Sequence, residues 1–159
     1  MISQFAKDIR KFNTMYGLPV NDFPTIPFRL HIDKGTTRQQ LIDRLKQFKK
    51  ILQDEIKEVD DIVDKVEAGE EPLDILTDLA DWLGDIQVFC ASEMLKFGLD
   101  NEMVLSVIMS SNFSKLQADG TALMIDGKLQ KGPGYWKPEP KLKRLLQAAL
   151  HAAEEGEQT

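Results

Sequence analysis

From Pro72 to Phe97 the chain repeats apolar residues at helical spacing. Leu76, Leu79, Ala80, Trp82, Leu83, Ile86, Val88 and Phe89 belong to that pattern. A periodic stretch of this length predicts one amphipathic helix rather than strands. Pro72 suits its first turn, and Gly98 suits its end. Three aspartates interrupt the apolar pattern. Asp78, Asp81 and Asp85 stand at i, i+3 and i+7, so they share a strip about 60° wide. Trp82 and Phe89 flank that strip. A core-like helix with acids on one edge needs neighbours that tolerate or neutralise them.

The flanking sequence has the same period. Ile2 to Tyr16 predicts a first helix, with Phe5, Ile9, Phe12 and Tyr16 recurring on one face. Gly17, Pro19, Pro24 and Pro27 break it, and a loop runs to about Gly35. Thr37 with Gln40 predicts a capping box for a second helix that reaches about Ala68 and stops at Gly69. Asp100 predicts the cap of a fourth helix, to about Leu116. Residues 118–137 read as loop or a short hairpin, with Gly120, Gly127 and Gly132 in turn contexts. A last helix is expected from about Pro140 to Glu154, and a short acidic tail occupies about 152–159. The expected fold is all-α, a four- to five-helix bundle in a single domain over residues 1–159.

Composition sets further bounds. The 159 residues suffice for a core without covalent staples. Cys90 is the single cysteine, so no disulfide forms within the chain, and a reduced core residue in a cytoplasmic protein is expected. No apolar run is long enough to span a membrane. The N-terminal "MISQFAKDIRKF" alternates apolar and charged residues, unlike a signal peptide. A net charge of −6 argues against a broad nucleic-acid surface.

The second helix repeats the exception made by the third. At roughly 100° per residue, Leu41, Leu45, Phe48, Leu52, Val59, Ile62, Val63 and Val66 form one stripe. Glu55 falls inside it, and Glu58 lies at its edge. Asp60, Asp61, Asp64 and Lys57 fall mostly on the opposite face, as a solvated helix would place them. Glu55 does not fit that account, because a lone buried carboxylate is costly unless paired or metal-bound. If the two helices pair antiparallel across the turn at Gly69 to Pro72, the levels match. Glu55 and Glu58 lie about a dozen residues before the turn, and Asp81 and Asp85 a similar distance after it.

Gathered carboxylates repel and raise one another's pKa values. A divalent cation removes that cost, and oxygen-only donors suit Mg²⁺ or Mn²⁺. A di-iron bundle needs Glu-x-x-His on two helices, and His31 and His151 are far from these acids in sequence. Zinc has no Cys or His cluster to hold it. Mg²⁺ is often shared with substrate phosphates, so phosphate-binding groups are expected elsewhere. Asn112 and Lys115 stand at i and i+3 in "SSNFSK", and Lys128, Lys131 and Tyr135 follow in "DGKLQKGPGYWKP".

These residues resemble a known family. Asp54-Glu55-x-x-Glu58, followed by acids on the next helix, resembles the EExxE…ExxD pattern of the all-α nucleoside triphosphate pyrophosphohydrolases. That superfamily includes MazG, the dimeric dUTPases and phosphoribosyl-ATP pyrophosphohydrolase. The small MazG-like proteins are the nearest in pattern. Their "SN-x-[ST]-K-L" followed by "DGK…KGP-x-Y" is similar to Ser111 to Leu116, Asp126 to Lys128, and Lys131 to Tyr135. The opening "FNTMYGLP" is similar too. The first glutamate of the pattern is Asp54 here. The second motif reads either as Asp78-x-x-Asp81 or as Asp81-x-x-x-Asp85. In a register counted back from Gly98, Trp82 stands where the family usually has glutamate.

The resemblance implies hydrolysis of a nucleoside triphosphate to monophosphate and pyrophosphate, as a nucleotide-pool house-cleaning step. It implies Mg²⁺ as cofactor, with Mn²⁺ able to substitute, held by Glu55, Glu58, Asp81 and Asp85. Catalytic roles then fall to Asp54, Glu55 and Asp78, the first and last as outer ligand or base. Asn112, Lys115, Lys131 and Tyr135 would bind substrate. The expected partners are the triphosphate and further copies of the chain, as a homodimer or dimer of dimers, without nucleic-acid polymer or membrane. The base-recognising residues would lie in the loop at 17–36 and around Trp82. Two rival readings are a non-catalytic nucleotide- or metal-binding regulator on the same fold and a phosphoribosyl-ATP pyrophosphohydrolase.

Overall fold

The structure is a computed structural model that describes residues 3–25 and 34–156, with the side chains of 34–37 and 156 excepted. The fold is all-α, apart from one short β-ribbon. The chain divides into two compact units. The first comprises Met1–Asn21 with Thr25–Gly98, and the second Asp22–Pro24 with Leu99–Thr159.

In the first unit, α1 spans Gln4–Met15. Ser3 caps it: the Oγ accepts from the Ala6 amide at 3.2 Å, which satisfies one of the free N–H groups of the first turn. Gly17, at φ 65°, ends the helix by entering a conformation that costs other residues a Cβ clash. The expected start at Ile2 lies outside the described residues. Asn13 then ties the unit together. It is fully buried; its amide donates to the carbonyls of Pro19 and Ser92, and its Oδ1 accepts from Ser92 Oγ at 2.6 Å. The "FNTMYGLP" segment therefore clamps α1 and the turn after it onto the helix that carries Ser92.

That helix, α4, runs Pro72–Lys96 and is the centre of the first unit. It packs against α1, against α2 (Lys34–Lys57) and against α3 (Val59–Glu67). Two corrections concern α2. It already includes Lys34, so Thr37 lies within the helix and is not its cap; the Thr37 side chain is outside the described residues. The expected single helix to Ala68 is also divided at Glu58 into α2 and α3. The stripe read from the sequence holds in part: Leu41, Phe48, Leu52, Val59 and Ile62 are half-buried, whereas Leu45, Val63 and Val66 are exposed. Ile9 and Ala91 are the buried apolar side chains among the described residues of this unit. Cys90 is half-buried rather than in the core, and burial pushes its thiol pKa up.

One end of the α2–α4 contact is ionic. Arg44 grips Glu93 with two nitrogens, Nε to Oε1 at 2.8 Å and Nη2 to Oε2, and Lys96 Nζ reaches Oε2 at 3.1 Å. Glu93 and Lys96 are buried. The extra positive charge sits in the last turn of α4, where the helix dipole favours a cation.

In the second unit, Asp100 Oδ1 accepts from the Met103 amide at 2.7 Å and caps α5, Asn101–Phe113. The expected hairpin forms: β1 (Met124–Ile125) pairs antiparallel with β2 (Lys128–Leu129). Asp126 and Gly127 make its turn at φ 49° and 71°, the two positive values of a type I′ turn. The last helix, α6, runs Glu139–Gly156 and contacts α5. Residues 157–159 of the acidic tail lie outside the described set. Among the described residues, no helix is long and apolar enough to cross a membrane.

Candidate functional site

Glu55 lies in the last turn of α2 and is buried, with 7% of its surface exposed. Its Oε1 has no hydrogen-bond partner among the described residues. Burial raises its pKa above the ordinary value, and the charges of Glu58, Asp85 and Asp81 raise it further, in that order. The helical turn brings Glu58 one turn from Glu55, and packing of α2 on α4 brings Asp81 and Asp85 within electrostatic reach. These are the four residues the sequence assigns to a cation. Glu58, Asp81 and Asp85 are exposed, so one buried carboxylate has three exposed ones as its electrostatic neighbours.

A deep carboxylate oxygen without a donor, among further carboxylates, has the chemistry of a hard-cation site. Mg²⁺ fits that donor set. Among the described residues, no group of three His, Cys, Asp or Glu side chains stands in metal-holding proximity. His151 belongs to α6, and His31 lies outside the described residues.

The other two acids are placed differently. Asp78, half-buried on α4, is bonded to Lys65 of α3, with Nζ to Oδ2 at 2.5 Å. That bond and the charge of Asp78 raise the Lys65 pKa. Asp78 is absent from the groups whose charge acts on Glu55. Asp54 is exposed and loosely paired with Lys57 at 3.6 Å. Sequence reasoning missed Lys65, although its position in the last turn of α3, facing a helix with spare acids, was a usable signal. It also missed the backbone contact of Trp82, whose Nε1 donates to the Glu55 carbonyl at 2.9 Å.

The phosphate-binding candidates all belong to the second unit. Lys115 Nζ donates to Asn112 Oδ1 at 2.7 Å, one turn apart at the end of α5. Lys131 Nζ lies over the Tyr135 ring, 4.7 Å from its centroid. Backbone bonds fold this segment onto the end of α5. Gly132 N donates to the Lys115 carbonyl at 2.8 Å. Ser111 Oγ donates to the Trp136 carbonyl at 2.9 Å, and Trp136 N donates to Ser114 Oγ at 3.2 Å. The approach requires glycine: a Cβ on Gly132 would stand 1.9 Å from the Leu116 carbonyl oxygen. The "SNFSK" and "KGPGY" motifs are therefore one structural element. The base-recognition expectation at 17–36 falls partly on residues 26–33, which are outside the described set.

No family model and no curated protein matches the chain. Among solved structures, it is similar to a proposed NTP pyrophosphohydrolase from Exiguobacterium sp. 255-15. That likeness has 19% identity over 99% of each chain and a TM-score of 0.45. A likeness this distant carries no argument about activity.

Proposed function

We propose that the chain is a Mg²⁺-dependent nucleoside triphosphate pyrophosphohydrolase that serves nucleotide-pool house-cleaning in the cytoplasm. The observation that carries this reading is the buried Glu55 carboxylate, with its unpartnered oxygen among like charges. The motif order read from the sequence supports the same activity. The reaction adds water across the α–β anhydride: an O–P bond forms, the bridging P–O bond breaks, and (d)NMP and pyrophosphate leave. Glu55, Glu58, Asp81 and Asp85 hold the cation, and Mn²⁺ substitutes for Mg²⁺. When bound, the cation supplies the positive charge that offsets the triphosphate and the charge developing at phosphorus.

The chain's own groups supply the remainder. Asp54 is not held in a tight pair and takes the proton of the attacking water. Asp78 orders the α3–α4 contact through Lys65 and so sets the level of Asp81. Lys115, Lys131 and Tyr135 bind phosphate oxygens, and Asn112 binds phosphate or sugar. No covalent nucleophile is required. The chain acts as a homodimer or dimer of dimers. In support, α3 and α4 leave Val63, Val66, Leu73, Leu76 and Leu83 exposed at 44–73%, an apolar face that a second copy would cover.

A second reading, a non-catalytic metal- or nucleotide-binding regulator, is favoured by one observation: among the described residues, no three His, Cys, Asp or Glu side chains stand together as a metal site. One experiment separates the two. Standard and modified (d)NTPs are incubated with the protein and Mg²⁺ or Mn²⁺, and pyrophosphate and monophosphate are measured. Release that is lost in Glu55→Ala and Asp85→Ala is expected. Tight nucleotide binding with every triphosphate intact would establish the regulator instead.

A further inference from the structure

Trp82 holds a more specific position than an apolar residue on α4 requires. It follows Asp81 directly and precedes Asp85 by three residues, so on the helix it flanks the two acids that α4 contributes. It is half-buried. Its indole N–H is used on a main-chain atom of the other helix: Nε1 donates to the carbonyl of Glu55 at 2.9 Å.

That carbonyl is unusual. It also accepts from the Glu58 amide at 3.1 Å, a three-residue bond. An α-helix makes four-residue bonds, and a single three-residue turn inside a long helix tightens it locally. The chain leaves α2 at Lys57 and re-enters a helix at Val59. Glu58, between them, keeps helical angles of φ −63° and ψ −18° but caps α3 with no side-chain bond. Nothing in the local sequence accounts for this interruption. "QDEIKEVDDIV" contains neither proline nor glycine, the usual causes of a helix break. A side chain from outside that enters the bonding ladder is a recognised cause of such a break, and the Trp82 indole reaches the Glu55 carbonyl at this point. The break falls between Glu55 and the helix that follows Glu58, so it sets the relative direction of those two carboxylates.

We infer that Trp82 is a positioning residue: its indole N–H fixes the Glu55 carbonyl and the tightened turn to Glu58, and so sets the two α2 carboxylates against Asp81 and Asp85. The inference rests on the proposed cation site. It predicts that the cation is felt at the indole and that removing one N–H weakens cation binding without removing any ligand.

The test uses the full chain, Mg²⁺ alone as probe, and Trp82→Phe, which keeps an aromatic ring and deletes the donor. Calorimetric titration is expected to show Mg²⁺ affinity weakened by about five- to tenfold, the equivalent of one hydrogen bond. A merely structural role would lower the melting temperature in chelator and leave the affinity unchanged. A second measurement needs no change at Trp82. In Trp136→Phe, Trp82 is the sole indole, and its emission is expected to shift on Mg²⁺ saturation. Equal Mg²⁺ affinity in wild type and Trp82→Phe overturns the inference while the cation site stands. If Trp82→Phe does not fold, an unchanged emission in Mg²⁺-bound Trp136→Phe overturns it equally. A wild-type chain that binds no Mg²⁺ overturns the functional reading, and this inference with it.

Discussion

Glu55→Gln is expected to stabilise the metal-free protein. Glutamine preserves shape and removes the charge that burial and the three neighbouring carboxylates disfavour. An unsatisfied buried polar group costs about 1–3 kcal/mol, and a charged one costs more. Glutamine remains a buried polar group, so only the charge penalty is relieved; taken as about 1–3 kcal/mol, at about 2–4 °C per kcal/mol for a chain of this size, it raises the melting temperature by about 2–12 °C at neutral pH in chelator. The sign with pH follows from the raised pKa. Folded protein binds the Glu55 proton more tightly than unfolded chain, so stability is greatest below the ordinary value of 4.5. It falls as pH rises through the raised folded value. Glu55→Gln removes that decline. Mg²⁺ reverses the ranking, because it binds the folded wild type and stabilises it by mass action, whereas the variant has lost a ligand. The assay is thermal unfolding from pH 4 to 8, with chelator or with Mg²⁺. A variant less stable than wild type in chelator at pH 7, with no Mg²⁺-dependent gain in wild type, would refute the reasoning.

Other substitutions test the frame that presents the site. Arg44→Met leaves the buried Glu93 carboxylate with Lys96 as its remaining ion-pair partner and should cost up to about 3–5 kcal/mol in urea unfolding; the triple variant Arg44→Met/Glu93→Leu/Lys96→Met, which removes every charge of the cluster, should recover much of that loss. Gly132→Ala forces the backbone away from the Leu116 carbonyl and should cost about 1–3 kcal/mol, again read by urea unfolding. It should also weaken phosphate binding at Lys115 and Lys131. Asp78 raises the Lys65 pKa above its ordinary 10.5, so that pair's contribution is complete below 10.5 and is lost as pH rises through the raised value. Lys65→Met should therefore flatten the alkaline limb of stability against pH.

The sequence by itself determined the all-α class and most helix ends. Helical periodicity, the Asp100 cap, Pro72 and the glycines at 17, 69 and 98 act within a few residues of the ends they set. Their effects need no tertiary partner. It also singled out Glu55, because a charge inside an apolar stripe is visible on a helical wheel. The "DG" turn between Ile125 and Lys128 was legible for the same local reason. The tertiary structure decided what depends on a neighbour from far along the chain. Glu58 interrupts the second helix although its own segment favours continuity, and the side chain that reaches the Glu55 carbonyl there comes from Trp82. Asp78, Asp81 and Asp85 share one strip and were indistinguishable in sequence. Lys65 on α3 takes Asp78 into an ion pair, and packing of α2 on α4 leaves Asp81 and Asp85 to act on Glu55. Which carboxylate is neutralised and which is left charged is set by distances between helices, and a helical wheel contains only one helix.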